Sequence, residues 1–143
     1  MSHLVLDASV AAKWFLLAGE PLKEQALNLL ARSREGEIAF IIPDLFWAEL
    51  GNVLLKAVRQ GRSTAPSAEE SLRKAKGMEL PAIPSAELVE EAFVIARKYN
   101  RSFYDSIYLA LAVSRHAVLI TADEKLANAT AAQLPVKWLG SSA

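Results

Sequence analysis

Short, uninterrupted apolar runs separated by longer amphipathic stretches constrain this chain more than any other feature. His3-Leu4-Val5-Leu6-Asp7, Ile38-Ala39-Phe40-Ile41-Ile42 and Ala117-Val118-Leu119-Ile120-Thr121 show no polar alternation. A strand with one wet face alternates, whereas a strand covered on both faces does not. Each run therefore reads as a buried strand. Between them apolar residues recur at helical spacing, as at Leu22, Ala26, Leu29 and Leu30. Strands alternating with helices predict a short central parallel sheet covered on both sides, a three-layer α/β/α sandwich. Right-handed crossovers would then bring the carboxyl ends of the strands to one side.

The punctuation supplies the expected boundaries. A helix runs from Val10 to about Leu17 and ends near Gly19, and Pro21 sits in the first turn of a second helix that closes near Gly36. A third helix starts at Pro43-Asp44 and continues to about Gln60, with Gly61 at its end. After a loop at 62–67, Ser67 and Glu70 form a capping box for a helix over roughly 68–77. Leu80-Pro81-Ala82-Ile83 is a weak strand, and its proline assigns it to an edge. Ser85 caps a helix over about 86–99, Ser102 begins the helix that carries Asp105, and Asp123 begins a short one. Val136-Lys137-Trp138-Leu139 is a last strand.

A chain of 143 residues fits a single domain spanning 1–143. Lys+Arg and Asp+Glu both number 16, so bulk charge gives no reason to expect nucleic-acid binding. The absence of cysteine excludes disulfides, thiolate metal sites and cysteine nucleophiles, and fits a reducing cytoplasm. No stretch approaches the ~18 uncharged apolar residues of a membrane span. Residues 4–18 resemble a signal peptide superficially but carry Asp7 and Lys13.

Against this apolar background four acids stand out. Asp7 ends the first strand, Glu49 interrupts Leu45-Phe46-Trp47-Ala48-Glu49-Leu50, Asp105 opens an apolar helix and Asp123 follows the run ending at Thr121. Ligands of open parallel sheets sit beyond the carboxyl ends of the strands, where Asp7 and Asp123 fall. Glu49, on a stripe with Leu45, Phe46, Asn52 and Val53, is expected to face inward, and Asp105 lies at a helix start within reach of the rim. Two carboxylates ~4 Å apart repel by roughly 4 kcal/mol at an effective dielectric near 20. A shared divalent cation removes that penalty, and oxygen ligands without His or Cys favour Mg²⁺ or Mn²⁺ over Zn²⁺. The matching chemistry is phosphodiester hydrolysis by metal-activated water. Each acid also has a purely structural reading. Asp7, Asp105 and Asp123 are natural helix caps or first-turn acids, and Glu49 could pair with Lys56.

Leu6-Asp7-Ala8-Ser9-Val10, the helix-embedded Glu49, Tyr104-Asp105-Ser106-Ile107-Tyr108-Leu109-Ala110-Leu111-Ala112 and Leu119-Ile120-Thr121-Ala122-Asp123-Glu124-Lys125-Leu126 together resemble the PIN-domain family. Within it they are similar to the VapC-type toxins of type II toxin–antitoxin modules. The likeness covers nearly the whole chain, in order. It implies a Mg²⁺- or Mn²⁺-dependent endoribonuclease acting on RNA. It also implies that Asp7, Glu49, Asp105 and Asp123 are the acidic site, with Asp7 and Asp105 as direct metal ligands and Ser9 and Thr121 as supporting hydroxyls. The same likeness implies a homodimer held in check by a cognate antitoxin.

Two basic stretches bear on RNA. Residues 56–76 hold Lys56, Arg59, Arg62, Arg73, Lys74 and Lys76 against Glu69 and Glu70, and Arg97, Lys98 and Arg101 lead into the helix of Asp105. Either could contact phosphates, and either could be an ordinary solvated face. Trp14, Phe15, Phe46 and Trp47 are expected in the core, or else on a groove for an antitoxin or a second copy. Two other function classes compete: a non-catalytic PIN fold that binds RNA or regulates as a dimer, and a phosphotransfer protein. The latter is disfavoured because Asp7-Ala8-Ser9 lacks the Asp-x-Asp of aspartate-nucleophile phosphatases. Ser9 has no histidine partner and there is no glycine-rich phosphate loop.

Overall fold

A computed structural model describes residues 2–16 and 19–141. Five parallel strands form one sheet in the order β3-β2-β1-β4-β5. The strands are β1 (Ser2–Leu6), β2 (Ile38–Pro43), β3 (Ala82–Ile83), β4 (Val118–Thr121) and β5 (Val136–Trp138). Among the described residues the helices are α1 (Ala8–Ala11), α2 (Lys23–Arg34), α3 (Leu45–Arg59), α4 (Ala65–Gly77), α5 (Val89–Tyr99), α6 (Phe103–Ser114) and α7 (Glu124–Thr130).

The unbroken apolar runs are explained by two core layers. Leu6, Phe40, Ile42 and Ile120 face one layer, with Trp14, Leu29, Phe46, Leu50 and Leu54. Val5 and Leu119 face the other, with Ile95, Ile107, Tyr108, Leu109 and Leu111. Because successive strand residues point to opposite faces, Leu6 and Val5 are both fully buried. Each such side chain contributes about 1.5–3 kcal/mol by leaving water. Trp14, Phe15, Phe46 and Trp47 belong to the first layer, so core packing is their role. The Trp14 indole also donates to the Ala26 carbonyl at 2.7 Å.

Several boundaries differ from expectation for identifiable reasons. Pro21 lies outside α2, which begins at Lys23 after Leu22 turns through a left-handed conformation (φ 61°). The helix α4 begins earlier than the Ser67 capping box implied: Thr64 is its cap, accepting from the Ser67 amide at 3.2 Å, and Pro66 takes the first turn. Ser85 opens a short 3₁₀ turn (Ser85–Glu87) instead of capping α5. Its amide and hydroxyl donate to Asp44 at 2.9 and 2.5 Å, which ties the β3 edge to the start of α3 and holds the Asp44 carboxyl below its usual range. Of the first helix, α1 ends at Ala11 and a 3₁₀ turn covers Ala12–Trp14; the expected end at Leu17 lies outside the described residues. Gly61 does end α3, at φ 72°, with the Arg62 amide reaching back to the Ala57 carbonyl at 2.8 Å. This is the left-handed closure that glycine permits.

The strand order positions the site. From β1 the chain moves outward to β2 and β3, then returns to lay β4 on the other side of β1. The order reverses between β1 and β4, and crevices of this kind open at their carboxyl ends.

Candidate active site

Asp7 and Thr121 occupy the two strand ends that flank this switch point. Asp7 follows β1, its amide bonded to the Ile120 carbonyl across the sheet at 3.4 Å. Its Oδ1 accepts from the Ser9 amide at 3.3 Å, capping α1. Its Oδ2 accepts from the fully buried Thr121 hydroxyl at 2.9 Å. The same Thr121 oxygen accepts from the Asp123 amide at 3.1 Å, and the Ser9 hydroxyl accepts from the Ala122 amide at 3.4 Å. Ser9 and Thr121 thus stitch the two loops together and hold the Asp7 carboxylate in one orientation.

The other acids arrive from helices. Glu49 lies half-buried on α3, one turn from its start, beside the inward face of Phe46, Leu50 and Leu54. The stripe is narrower than expected, because Asn52 points to solvent. Asp105 lies in the first turn of α6, where its amide receives the Ser102 cap at 3.1 Å. Asp123 caps α7, its Oδ1 accepting from the Leu126 amide at 3.1 Å.

Electrostatics link them. Burial raises the Asp7 carboxyl to about 6 despite the Ser9 and Thr121 hydrogen bonds, and the charges of Glu49 and Asp105 add to the rise. Glu49 is raised by burial and by Asp105, against a hydrogen-bonding pull from Tyr108. Asp105 is raised by burial and by Asp123, with Ser102 and Arg101 opposing. Repulsion therefore links Asp7 to Glu49 and Asp105, Glu49 to Asp105, and Asp105 to the charge of Asp123. They do not form a single tight cage: among the described residues no three acid or histidine side chains stand close enough to share an ion. The local reason is visible in Asp7 and Asp123, each of which gives an oxygen to a backbone cap. Nor does any lysine or arginine pair with the four among the described residues. The Glu49–Lys56 pair, the alternative to a role for Glu49 in the site, is not formed.

Tyr108 is the residue that sequence reasoning passed over. It lies one turn after Asp105 on α6, is 2% exposed, and its hydroxyl has no partner in good hydrogen-bond geometry. Burial, with the charges of Asp7 and Glu49 beside it, raises its phenol far above the ordinary range. The spacing of three from Asp105 was the available signal. A buried hydroxyl that reaches Glu49 only in poor geometry, among acids without counter-charge, leaves hydrogen-bonding capacity at this point of the site unused. The hard-oxygen donors and the shortage of positive charge fit a divalent cation, which commonly uses only one or two carboxylates and keeps several waters.

Arg101, of the three basic residues before α6, is close enough to act on Asp105, and its Nε donates to the Tyr99 carbonyl at 3.1 Å. Arg97 and Lys98 stand on the exposed side of α5. In the other basic stretch Arg62 and Arg73 are engaged by Glu20 and Glu70.

Comparison with known proteins bears on the family and the fold. The PIN-domain family model matches residues 4–132. Ribonuclease VapC3 of Pyrobaculum aerophilum is 31% identical over 129 residues, covering 87% of this chain and 92% of that protein. Among solved structures, PAE2754 from Pyrobaculum aerophilum superposes with a TM-score of 0.70 at 23% identity, over 98% of this chain and 92% of the other. A toxin–antitoxin complex from Klebsiella pneumoniae gives 0.58 at 19% identity, over 94% and 95%. With a five-stranded parallel sheet, acids at its switch point and a family match over most of its length, the chain belongs to the PIN-domain family and, within it, to the VapC ribonucleases.

Proposed function

We propose that this chain is a divalent-metal-dependent endoribonuclease, a single PIN domain acting as the toxin of a toxin–antitoxin pair. The observation that carries the reading is the group of partly buried carboxylates, Asp7, Glu49 and Asp105, that raise one another's proton affinity near the β1/β4 switch point and form no ion pair with a lysine or arginine among the described residues.

Asp7 and Asp105 are the residues we assign to hold Mg²⁺ or Mn²⁺, with Glu49 and Asp123 at the margins of the same site. The bound ion would supply Lewis acidity to a phosphoryl oxygen and to water. Thr121 and Ser9 keep the Asp7 carboxylate aimed, so little reorganisation is needed when substrate arrives. Glu49, its proton affinity raised by burial, is suited to take the proton of an attacking water at its carboxylate. Arg101, and more remotely Arg97 and Lys98, supply positive potential that draws RNA phosphates to the acid rim, with affinity that falls as salt rises. The likeness to a toxin–antitoxin complex supports an antitoxin as the protein partner, and the family resemblance supports self-association. None of the described helices is long and apolar enough to cross a membrane.

The test is RNA cleavage by wild type, Asp7→Asn and Asp105→Asn, with Mg²⁺ or Mn²⁺ and with excess chelator. Cleavage by wild type only in metal, lost in both variants, is expected. Undiminished cleavage in chelator would end the metal reading.

A further inference from the structure

A hollow of 410 Å³ opens beside α2, around the amino ends of β1, β2 and β4. Its floor is apolar. Leu4 of β1, Leu29 of α2, and Val118 and Ile120 of β4 line it, and all four pack in the same core layer. Its rim is basic. Arg32 comes from the last turn of α2, His116 from the turn before β4, and Lys137 from β5, in register with Ile120. Among the described residues no carboxylate lines the hollow, and Lys137 and His116 pair with no acid. Glu37 accepts from Arg32 Nε at 3.1 Å, but that pair is exposed and engages one of the five guanidinium donors. Leu4 and Val118 precede Asp7 and Thr121 by three residues each, about 10 Å of extended chain at about 3.3 Å per residue. The hollow is therefore separate from the acidic site.

His116 is held there against the preference of the backbone. It stands at φ 51° in the closing turn of α6, where the Ala117 amide reaches back to the Ala112 carbonyl at 3.0 Å. Gly36 and Gly61 close α2 and α3 in the same way, at φ 79° and 72°, with the amides of Glu37 and Arg62 reaching back to Arg32 and Ala57. Glycine takes this left-handed conformation without penalty, whereas a side chain there is strained. The imidazole is exposed, so it does not offset the strain by filling the core. Strain of this kind collects where a side chain has a task.

We propose that this hollow is a second binding site, for a small organic phosphate of mononucleotide size. The phosphate sits on Arg32, Lys137 and His116, and a flat apolar body lies on Leu4, Leu29 and Val118. Arg32 and Lys137 present only donors, and the arginine fork matches phosphate oxygens two at a time. An inorganic ion alone leaves the floor in water, and a neutral apolar molecule leaves the rim unmatched. The volume falls within the range of small-molecule sites, about 300–1,000 Å³. The site shares no residue with the nuclease chemistry proposed above.

The experiment is calorimetric titration of the full chain in excess chelator with adenosine 5′-monophosphate, phenyl phosphate, inorganic phosphate and adenosine. Circular dichroism confirms folding of every variant. The two organic phosphates are expected to bind at least about tenfold tighter than inorganic phosphate or adenosine. Lys137→Glu and Arg32→Gln should each weaken that binding by about tenfold or more, the scale of one charge-assisted hydrogen bond. A preference for adenosine 5′-monophosphate over phenyl phosphate identifies a nucleotide site, and equal affinity a general aryl phosphate site; both support the proposal. The chain has two histidines, which gives a second readout in their imidazole resonances. His116 should shift more than His3, which the alternation of β1 turns to the other sheet face with Val5. His116→Gly should weaken binding while raising the urea midpoint, because glycine relieves the left-handed turn; a histidine with a merely structural role would change stability and leave binding as it was. No binding of either organic phosphate at millimolar concentration, affinity indifferent to Lys137→Glu and Arg32→Gln, or a larger shift at His3 than at His116 would overturn the proposal. So would loss of binding in Asp7→Asn, which would put the ligand at the acids. RNA cleavage by Lys137→Glu should equal that of wild type, so the nuclease reading stands or falls separately.

Discussion

Replacing Asp7 with asparagine should make the metal-free protein more stable at neutral pH, although it removes a residue at the centre of the site. The Asp7 carboxyl titrates near 6 in the folded state against an ordinary value of 3.8. A raised acid is penalised when charged. Below pH 3.8 it is protonated both folded and unfolded, so it contributes nothing. As pH rises through the window from 3.8 to about 6, the unfolded chain gives up its proton first and the folded state loses stability. The shift corresponds to about 3 kcal/mol at full value. Asp7 is partly exposed by surface area although closely surrounded by protein, so solvent screening reduces that figure. Asparagine retains an oxygen for the Ser9 amide but disturbs the Thr121 bond, worth about 1 kcal/mol. A net gain of about 1–2 kcal/mol above pH 7 remains after these reductions, or about 3–7 °C in melting temperature for a chain of this size. Urea unfolding of the chelator-treated wild type and Asp7→Asn at pH 4.5 and 7.5 measures it directly. The wild type should lose stability between the two, the variant should lose less, and Mg²⁺ should restore the wild type selectively. If Asp7→Asn is less stable by the same margin at both pH values, the carboxylate is acting as a helix cap, and the argument from repulsion is wrong.

Asp105→Asn should lower metal-dependent cleavage by about 10²–10³-fold, the scale of losing one preorganised electrostatic group, while circular dichroism stays unchanged. Tyr108→Phe deletes a buried hydroxyl without a well-placed partner; metal-free unfolding should show no loss, and up to about 1 kcal/mol of gain, while cleavage falls because Glu49 loses its neighbour. Thr121→Val removes both the donor to Asp7 and the acceptor for the Asp123 amide. It should destabilise the fold by about 1–3 kcal/mol, read as a lower urea midpoint.

The order of strands and helices was legible in the sequence because burial on two faces leaves a local mark. Runs such as Ile38 to Ile42 need no knowledge of their neighbours to be read as covered strands. The helix end at Gly61 and the caps at Ser102 and Asp123 were legible for the same reason, since each is satisfied within a few residues of chain. The acids, too, announced themselves by interrupting apolar surroundings. Where competing local signals exist the reading slipped: Ser67 and Ser85 both look like caps, yet Thr64 caps α4 and Ser85 spends its donors on Asp44, forty-one residues away. Only the folded chain decides how the acids stand to one another. The Thr121–Asp7 bond spans 114 residues, and the burial of Tyr108 beside Asp7 and Glu49 depends on α6 lying across the sheet against α5 and β1. The same holds for α5, whose apolar residues would read as core until one sees which of them α6 covers. Local sequence determines which elements form and which face of each is apolar. Where those faces meet, and what they leave exposed or unpaired, is settled by register and strand order, which couple residues too distant in the chain to leave a local pattern.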